Sequence, residues 1–527
     1  QAAWRGRPVC SMALTVSVVL ASGASVLPEG VRLQPDEPIV ALRRAVAEAL
    51  GTGQFELAVG AQRLVRDEIL VSEAGLVDGE VVTAVLVPLR RICPTKGPGG
   101  DRGAFAALLG GGAVVAWGHR KGGGDYSAVK QQLASGVQEV YSTGYAFAAV
   151  KTDGSVVAWG DPDRGGDTST VADQLAGGVE AVYSTRFAFA AVKSDGSVTT
   201  WGDPQRGGDS SKVREQLSDG VESIASTSSA FAAIKRGGAV VLWGKAREGG
   251  SCWRTSAGEA GEVLLRQQLG GGVQSICASM TAFAALKDDG SVATWGQIYL
   301  PEDTQRHISE GVQSLQHTDS AFAALKSDSS VAAWGNADCG GDCFGVRREL
   351  AVGARTIFAN QRAFAALLTN GSVTTWGDQE AGGDSTAVRE QLAEGVRTIY
   401  STGFAFAAVK DRGAVVTWGD PRNGGDCSKV REELEADGGP QEVKATGKAF
   451  AALMANGSVV TWGFGNAGGD STAERERLSS GVQAVYATEY AFAAVRSNGT
   501  VVTWGFANSG GNCSQVQELL ENVRGRL

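Results

Sequence analysis

Apolar and polar residues recur in a fixed order through most of the chain, and residues 363–402 show that order in full: AFAALLTNGSVTTWGDQEAGGDSTAVREQLAEGVRTIYST. The apolar run AFAAL, the turn pair Asn370-Gly371 and the alternating Ser372–Trp376 predict a hairpin with a two-residue turn at positive φ. Gly-Gly-Asp-Ser and Ala387–Leu392 predict a capped helix of about two turns. GVRTIYST predicts a third strand, so each unit holds three short strands and a helix.

This unit recurs ten times. Its Trp-Gly pair begins at Trp117, Trp159, Trp201, Trp243, Trp295, Trp334, Trp376, Trp418, Trp462 and Trp504, mostly 42 residues apart. A unit of this size cannot bury its own apolar face, so the pattern predicts stacked repeats that share a continuous core. The Phe of each AFAA and the Trp of each Trp-Gly are the predicted layers of that core.

The first hundred residues follow a different pattern. Strands are predicted at Leu14–Leu20, Val26–Leu33 and Val81–Leu89, with a helix over Ile39–Leu50 and a hairpin around Phe55–Val59. This order predicts a compact α+β module. The predicted division is a tail or leader remnant at 1–11, the α+β domain at 12–91, a Pro/Gly linker at 92–103 and the repeat domain at 104–527.

The α+β module resembles a ubiquitin-like β-grasp domain in its LTVSVVL opening, in PDEPIVALRRAV, VGAQRLVRDE and GLVDGEVVTAVLV, and in the final Leu89-Arg90-Arg91. The resemblance implies that partners bind the apolar surface of the sheet, near Leu57 and Val85. No Gly-Gly follows Arg91 directly. A fixed ubiquitin-like module is therefore favoured over a conjugated one.

The repeat, with its G-x-V-x-x-W-G strand followed by a Gly-rich turn, resembles the RCC1-like (regulator of chromosome condensation) β-propeller family over residues 104–527. The resemblance implies an all-β repeat ring of ten short Trp-Gly units, and the alternative is an open β-solenoid of the same repeats. Two features depart from the family. Gly-Gly-Asp replaces the usual Gly-Gln-Leu-Gly, and the units number ten where seven blades are typical.

The ends of the repeat array predict how a ring would close. The first unit begins at AFAALL with no GVxxI segment just before it, and residues 521–527 follow the last predicted helix. We therefore expect the C-terminal strand to pair with the first unit, which would remove exposed sheet edges.

Charge and hydropathy narrow the function classes. The 527 residues carry a net charge of −9, which argues against a nucleic-acid-binding surface. No apolar run approaches about 20 residues, so membrane insertion is not expected and a soluble, intracellular protein is favoured; a cleaved targeting peptide is left open. The eight cysteines occupy no single repeated position, which favours reduced thiols over a disulfide framework.

The repeated polar residues have two interpretations. Asp125, Asp167, Asp209, Asp342, Asp384, Asp426 and Asp470 could ligate calcium or cap helices. Capping is favoured because calcium needs roughly six to eight oxygens and each unit offers one carboxylate. Core packing is likewise favoured over a ligand cage for the Trp residues. The three histidines form no catalytic arrangement in the sequence, so no enzyme, cofactor or metal is expected.

The places where the repeat breaks suggest a partner site. The spacing between Trp243 and Trp295 is 52 residues, and the next unit shortens to 39 and reads QIYLPEDTQRHISE. These irregular loops contain Trp253, Arg254, Tyr299 and His307, and Trp, Tyr and Arg are enriched in binding hot spots. The alternative is a drifted repeat that tolerates loop changes.

Three functions remain open. The leading one is a noncatalytic protein–protein interaction scaffold or accessory subunit of a larger assembly. The second is a ubiquitin-pathway adaptor or ligase component, since RCC1-like rings occur in large ligases. The third is a guanine-nucleotide exchange factor for a small GTPase, as in the founding member of the family.

Overall fold

The chain forms one five-stranded sheet followed by ten three-stranded antiparallel sheets. The computed structural model describes residues 14–20, 25–34, 55–59, 62–63, 81–86, 91–95, 103–109, 111–252, 258–514 and 516, together with positions 37, 39, 41, 42, 45, 46, 71 and 76.

The N-terminal sheet is mixed. Its strands are β1 (Leu14–Leu20), β2 (Ser25–Leu33), β3 (Phe55–Val59), β4 (Gln62–Arg63) and β5 (Val81–Leu86), in the order β2-β1-β5-β3-β4. Strand β1 runs parallel to β5, and the other pairs are antiparallel. Alternate strand residues and the helical positions 42 and 46 form one core, which contains Val16, Val18, Leu33, Ile39, Leu42, Val46, Leu57, Val71, Leu76 and Val82.

Each of the ten following units has an inner, a middle and an outer strand. The inner strands are Arg91–Pro94, Val137–Ser142, Val179–Ser184, Val221–Ser226, Val273–Ala278, Val312–His317, Ala354–Ala359, Val396–Ser401, Pro440–Ala445 and Val482–Ala487. The middle strands are Ala104–Leu108, Ala146–Lys151, Ala188–Lys193, Ala230–Lys235, Ala282–Lys287, Ala321–Lys326, Ala363–Leu368, Ala405–Lys410, Ala449–Met454 and Ala491–Arg496. The outer strands are Val114–Gly118, Val156–Gly160, Val198–Gly202, Val240–Gly244, Val292–Gly296, Val331–Gly335, Val373–Gly377, Val415–Gly419, Val459–Gly463 and Val501–Gly505.

The predicted aromatic core is confirmed. In every unit the middle-strand Phe is fully buried and stacks on the outer-strand Trp, as Phe450 does on Trp462 with 5.0 Å between ring centroids. The indole also joins neighbouring units, because Trp159 Nε1 donates to the carbonyl of Gly123 in the preceding connection at 2.9 Å. The next glycine loop shows why a side chain is not tolerated there: a Cβ at Gly165 would stand 2.5 Å from the Phe189 ring.

The hairpin turn differs from the predicted two-residue form. In unit 2, Gly154 N donates to Lys151 O at 2.9 Å and Lys151 N donates to Ser155 O at 2.8 Å, which makes a three-residue loop with a bulge. Only the Gly has positive φ, +74° at Gly154. Asp153 instead accepts the Ser155 N–H, so the Asp or Asn of the pair acts by hydrogen bonding.

The connections between units are mostly 3₁₀ turns, where two-turn helices had been predicted. They lie at Arg120–Gly122, Ser127–Val129, Pro162–Arg164, Ser169–Leu175, Pro204–Arg206, Ser211–Val213, Ala246–Glu248, Ala337–Cys339, Phe344–Val346, Thr386–Val388, Pro421–Asn423, Ser428–Val430, Ala436–Gly438, Gly465–Ala467, Thr472–Glu474 and Ala507–Ser509, with a π-helical turn at Gln379–Gly383. The α-helices of these connections are α1 (Gly258–Gln268), α2 (Glu302–His307), α3 (Arg347–Leu350), α4 (Arg431–Glu435) and α5 (Arg475–Leu478). The two longest, α1 and α2, occupy the two irregular connections.

The ten units close into a ring, the arrangement of a β-propeller. Each inner strand contacts the inner strands of both neighbours, and the strand of unit 10 contacts that of unit 1. Trp117 Nε1 of unit 1 donates to Gly510 O at 3.1 Å, the same bond that other Trp residues make to their preceding connection. An open solenoid would leave these two units apart, so the contacts exclude it.

Closure uses a different strand from the predicted one. Arg91–Pro94 pairs antiparallel with Ala104–Leu108 and supplies the inner strand of unit 1. Residues 91–94 therefore belong to the ring, although the sequence had placed 91 in the N-terminal domain and 92–94 in a linker. The short RICP segment lacks the GVxxI pattern from which the other inner strands could be predicted. Residues 521–527, the predicted closing strand, lie outside the described residues.

Candidate functional site

The loops between inner and middle strands surround the axis of the ring at one end, which we call the mouth. Their first residue is Thr in most units, and its hydroxyl fixes the loop: Thr185 Oγ1 accepts the Ala188 N–H at 2.9 Å and donates to Arg206 O at 3.1 Å. The second residue of the loop varies from unit to unit and is Gly in three of the nine described loops. These mouth residues are Gly144, Arg186, Ser228, Met280, Asp319, Gln361, Gly403, Gly447 and Glu489.

Backbone hydrogen bonds connect these mouth residues around the axis. Each N–H donates to the carbonyl of the next unit, from Gly144 through to Gln361 and again from Gly403 to Glu489, at 2.8–3.2 Å. Residues bonded in this way have Cα atoms about 5 Å apart, so the described mouth residues follow the axis closely from unit to unit. Their side chains therefore border one opening at the mouth.

A cavity of about 570 Å³ opens at the mouth. The inner-strand ends and mouth loops of units 6–10 line it, together with Pro94 and Thr95 of unit 1. Two adjacent mouth positions in its wall are glycines. A Cβ at Gly403 would lie 2.8 Å from the Gln361 amide carbon, and a Cβ at Gly447 would collide with Glu489 Oε1. The missing side chains therefore leave room over which Gln361 and Glu489 extend.

Two carboxyl groups at this cavity have raised pKa values. Burial raises the pKa of Asp319 to about 6, and nearby Arg362 opposes that shift. Burial, helped by the charge of Asp319, raises the pKa of Glu489 to about 7 against the opposing charges of Lys448 and Arg186. Asp319 and Glu489 belong to units 6 and 10, and both residues line the cavity. Carboxyls that titrate near neutral pH are frequent at functional sites.

An arginine–aromatic cluster lies on the same end of the ring, in units 2 and 3. Tyr145 and Phe187 follow mouth residues and stack with their ring centroids 5.7 Å apart. Arg164 lies 4.0 Å from the Tyr145 ring and 5.7 Å from the Phe187 ring, and Arg206 lies 4.2 Å from the Phe187 ring, so guanidinium groups contact both aromatic rings. Arg186 donates to the Tyr145 hydroxyl at 3.2 Å, which ties the cluster to the mouth.

The repeated aspartates have a structural role in capping. Asp384 accepts the Thr386 N–H at 2.9 Å at the start of a 3₁₀ turn. The same bond recurs at Asp125, Asp167, Asp209, Asp342, Asp426 and Asp470. The backbone and side-chain hydrogen bonds from Thr386 lower the pKa of Asp384. Among the described residues, no group of three or more His, Cys, Asp or Glu is placed to hold a metal ion.

The partner residues predicted in the irregular connections do not meet as a group. Tyr299 is 65% exposed beside a cavity of about 420 Å³ at the mouth end of units 5 and 6. His307 ends α2, next to Ile308, whose carbonyl accepts a hydrogen bond from Val292 at the far end of the outer strand. Tyr299 and His307 therefore lie at opposite ends of the ring. Trp253 and Arg254 lie outside the described residues.

The prediction for the N-terminal sheet needs a correction at Leu57. This side chain is fully buried in the core, so it is no part of an exposed binding surface. The β3–β5 register pairs Leu57 with Ala84 and Glu56 with Val85, which puts positions 57 and 85 on opposite faces of the sheet. A strand exposes alternate residues, and the sequence alone did not fix which set faces the core.

Sequence reasoning missed Asp319, Glu489, Gln361 and Arg186. A signal was present: in most units a Ser-Thr or Ala-Thr pair is followed by two positions that change from unit to unit and then by the constant AFAA. Variable positions between constant ones in an internal repeat indicate side chains that the fold does not require.

No protein-family model and no curated protein matches this chain. Among solved structures, it is similar to the CRINKLY WD40 ectodomain of the Arabidopsis thaliana receptor kinase ACR4, at 17% identity and a TM-score of 0.30 over 55% of this chain and 98% of that one. Prp20p from Saccharomyces cerevisiae, in a study of its binding to Gsp1p and histones, is similar at 16% identity and a TM-score of 0.29 over 51% of this chain and 81% of that one. The computationally designed protein Ika8 is similar at 13% identity and a TM-score of 0.28 over 62% of this chain and 96% of that one.

These TM-scores are low, and the contacts between neighbouring inner strands define the ring. None of the described helices has the length and apolar character required to cross a bilayer.

Proposed function

We propose that this protein is a noncatalytic protein-interaction scaffold built on an RCC1-like ring, with partners docking on the mouth end. The observation that carries the proposal is the division of labour within each repeat. The constant polar side chains, such as Thr185 and Asp384, are occupied by internal hydrogen bonds. The varied side chains, such as Arg186, Asp319 and Glu489, collect at one end of a rigid ring, where a partner can contact several units at once.

The mouth end also offers the residue types that protein interfaces favour. Tyr299 is 65% exposed there, and Phe464 and Phe506 are 42% and 37% exposed. Both Phe residues directly follow a Trp-Gly pair, where units 2, 3 and 8 have an Asp that caps a 3₁₀ turn and unit 7 has an Asp that caps a π-helical turn. Units 9 and 10 have thus exchanged a stabilising cap for an exposed aromatic ring, which supports a binding role.

The test is the native size of the full chain in a gentle lysate, with mass spectrometry of the proteins that co-migrate. The repeats themselves supply matched substitutions. Arg186→Ser introduces at the mouth the residue that unit 4 has there, Ser228, and Arg412→Asn introduces on the opposite end the residue that unit 7 has there, Asn370. We expect a complex that Arg186→Ser weakens and Arg412→Asn leaves intact. A chain that migrates alone, or a complex equally sensitive to both substitutions, would contradict the proposal.

A second candidate function concerns the N-terminal sheet, for which we propose a ubiquitin-like β-grasp fold and a role in the ubiquitin pathway. The supporting observation is the order β2-β1-β5-β3-β4 with its parallel central pair β1–β5 and a buried helical segment at Leu42 and Val46. The test is binding of ubiquitin chains to the full protein. Val81→Glu, at a 50% exposed β5 residue, should reduce it, whereas Val352→Glu, at a 49% exposed ring residue, should not.

A further inference from the structure

The cavity at the mouth has an unbalanced charge. Of the described residues that line it, Asp319 and Glu489 carry acidic side chains and none is Lys or Arg. The cations that act on these carboxyls, Arg362 for Asp319 and Arg186 and Lys448 for Glu489, are outside the lining. The described lining of the cavity therefore presents two carboxyl groups and no Lys or Arg side chain to a ligand. This favours a cationic ligand over an anionic one.

Both carboxyls lack a direct partner among the described residues. No hydrogen bond or ion pair joins Asp319 or Glu489 to another side chain, although Arg362, which opposes the shift at Asp319, makes an ion pair with Asp378 at 3.0 Å. The capping aspartates of the same ring each accept a backbone N–H. Half-buried acids without a partner lower the stability of the folded state, and no hydrogen bond among the described residues offsets that loss. Their hydrogen-bonding capacity is available to a ligand.

The shape of the cavity suggests which cation fits. The two carboxyls come from units 6 and 10, and the side-chain amide of Gln361 in unit 7 lies over Gly403 in the same cavity wall. The glycines at 403 and 447 leave the intervening wall without side chains. A group that donates in several directions can contact all three side chains. Guanidinium has five N–H donors in a planar fork, whereas an ammonium group is a compact point charge.

We propose that the mouth cavity is a docking site for an arginine side chain of a protein partner, held by Asp319 and Glu489 together with Gln361. This inference rests on the proposed scaffold function and specifies the chemistry of the partner. A bound divalent metal is a poorer fit, because the described residues supply no group of three or more candidate ligands at this place.

The experiment measures binding of acetyl-Gly-Arg-Gly-amide to the full chain by isothermal titration calorimetry at pH 8. The control peptide replaces arginine by citrulline, which has nearly the same shape without the charge. We expect the citrulline peptide to bind at least about tenfold more weakly, since charge-assisted hydrogen bonds are roughly twice as strong as neutral ones. Lowering the pH to 5.5 should weaken the arginine peptide by a similar factor, because Asp319 and Glu489 then become protonated.

Matched variants locate the site. Asp319→Asn and Glu489→Gln should each weaken binding severalfold, and together they should remove it. Asp411→Asn and Glu394→Gln make the same changes at exposed positions on the opposite end of the ring and should have no effect. Unfolding curves of all five variants, the double variant included, show whether a loss comes from misfolding. Full binding by the double variant, equal binding of citrulline, or no binding at about 10 mM peptide would overturn the proposal.

Two further outcomes separate this inference from the scaffold function. If a lysine peptide binds as tightly as the arginine peptide, the assignment of guanidinium is overturned and a general cation site replaces it. If Arg186→Ser disrupts a complex in lysate while the double variant preserves it, the cavity is not the docking site and the scaffold function survives.

Discussion

The ring uses acidic residues in two ways, and the capping aspartates and the mouth carboxyls show the difference. Asp384 accepts hydrogen bonds from Thr386 at the surface, and its pKa is lowered. Glu489 lies half-buried at the axis without a hydrogen-bond partner among the described residues, and its pKa is raised to about 7. The first kind recurs in seven of the ten units, and the second occurs at a position that changes from unit to unit. Repetition therefore separates side chains that build the ring from side chains that the ring presents.

The largest expected effect is at a repeated core position. Phe406→Ala should lower the free energy of unfolding by about 3–5 kcal/mol, because Phe406 is fully buried, stacks on Trp418 and packs against Gly382 of the preceding connection. Urea unfolding followed by tryptophan fluorescence measures this loss. An effect below about 1 kcal/mol would mean that neighbouring units close the gap and that the repeated aromatic layer is not the main source of stability.

At the mouth the sign should be opposite. The ordinary pKa of glutamate is near 4.5, and the folded protein raises it to about 7, so the folded state binds the proton more tightly. Stability that is present below pH 4.5 is therefore lost as the pH rises toward 7. Glu489→Gln removes this loss and should stabilise the protein at pH 8 by about 1–2 kcal/mol, less than the full shift implies because the carboxyl is partly solvated.

The measurement is thermal or urea unfolding of wild type and Glu489→Gln at pH 5 and pH 8. The two proteins should differ at pH 8 and nearly coincide at pH 5. Glu394→Gln, an exposed glutamate on the opposite end, is the control and should leave stability unchanged at both values. A destabilised Glu489→Gln at pH 8 would place Glu489 among the structural acids and remove the contrast with Asp384.

Two tryptophans offer a smaller test of the repeated contacts. Trp376 Nε1 donates to Gly340 O at 3.0 Å, whereas the fully buried Trp334 has no partner for its Nε1, because the connection before it reads QIYLPED in place of a Gly-Gly loop. Trp376→Phe should therefore cost about 1–2 kcal/mol more than Trp334→Phe, by urea unfolding. Equal costs would show that the indole hydrogen bond between units contributes little.

The sequence allowed prediction of most of what repeats, but a three-residue loop and 3₁₀ turns replace the expected two-residue hairpin turn and two-turn helix. The hairpins, the Phe–Trp core and the capping role of Asp384 follow from patterns that ten copies reinforce, and ring closure follows from the need to cover sheet edges. It was insufficient where a single copy departs from the pattern. Arg91–Pro94 became the inner strand of unit 1 although RICP lacks the consensus, because the edge of Ala104–Leu108 accepts any extended backbone.

The candidate site was harder to predict for the same reason. Trp253 and Tyr299 were predicted as hot-spot residues because they lie in irregular loops. Proximity around a ring axis depends instead on how the units are arranged, and Asp319 of unit 6 and Glu489 of unit 10 line one cavity although about 170 residues separate them in the chain. Only the folded ring reveals that these two acids share a cavity. The buried state of Leu57 likewise depends on which face of its sheet the helix covers.

The smallest expected effect tests whether a capping aspartate is needed for its charge or for its acceptor oxygen. Unit 10 carries out the comparison naturally, since Asn512 accepts the Ser514 N–H at 2.8 Å where unit 7 uses Asp384. Asp384→Asn should therefore change the unfolding free energy by only a few tenths of a kcal/mol near pH 7, whereas Asp384→Ala should cost about 0.5–1 kcal/mol.

Because the folded state lowers the pKa of Asp384, the contribution of this carboxylate to stability is present above the ordinary value of 3.8 and is lost as the pH falls below it. The Asn variant should lack this acid-dependent loss, and urea unfolding at pH 3 and pH 7 distinguishes the two. If Asp384→Asn costs as much as Asp384→Ala, the charge of Asp384 rather than its hydrogen bond is the property that the repeat retains. The capping acids would then resemble the mouth acids, as charged groups available to an external cation.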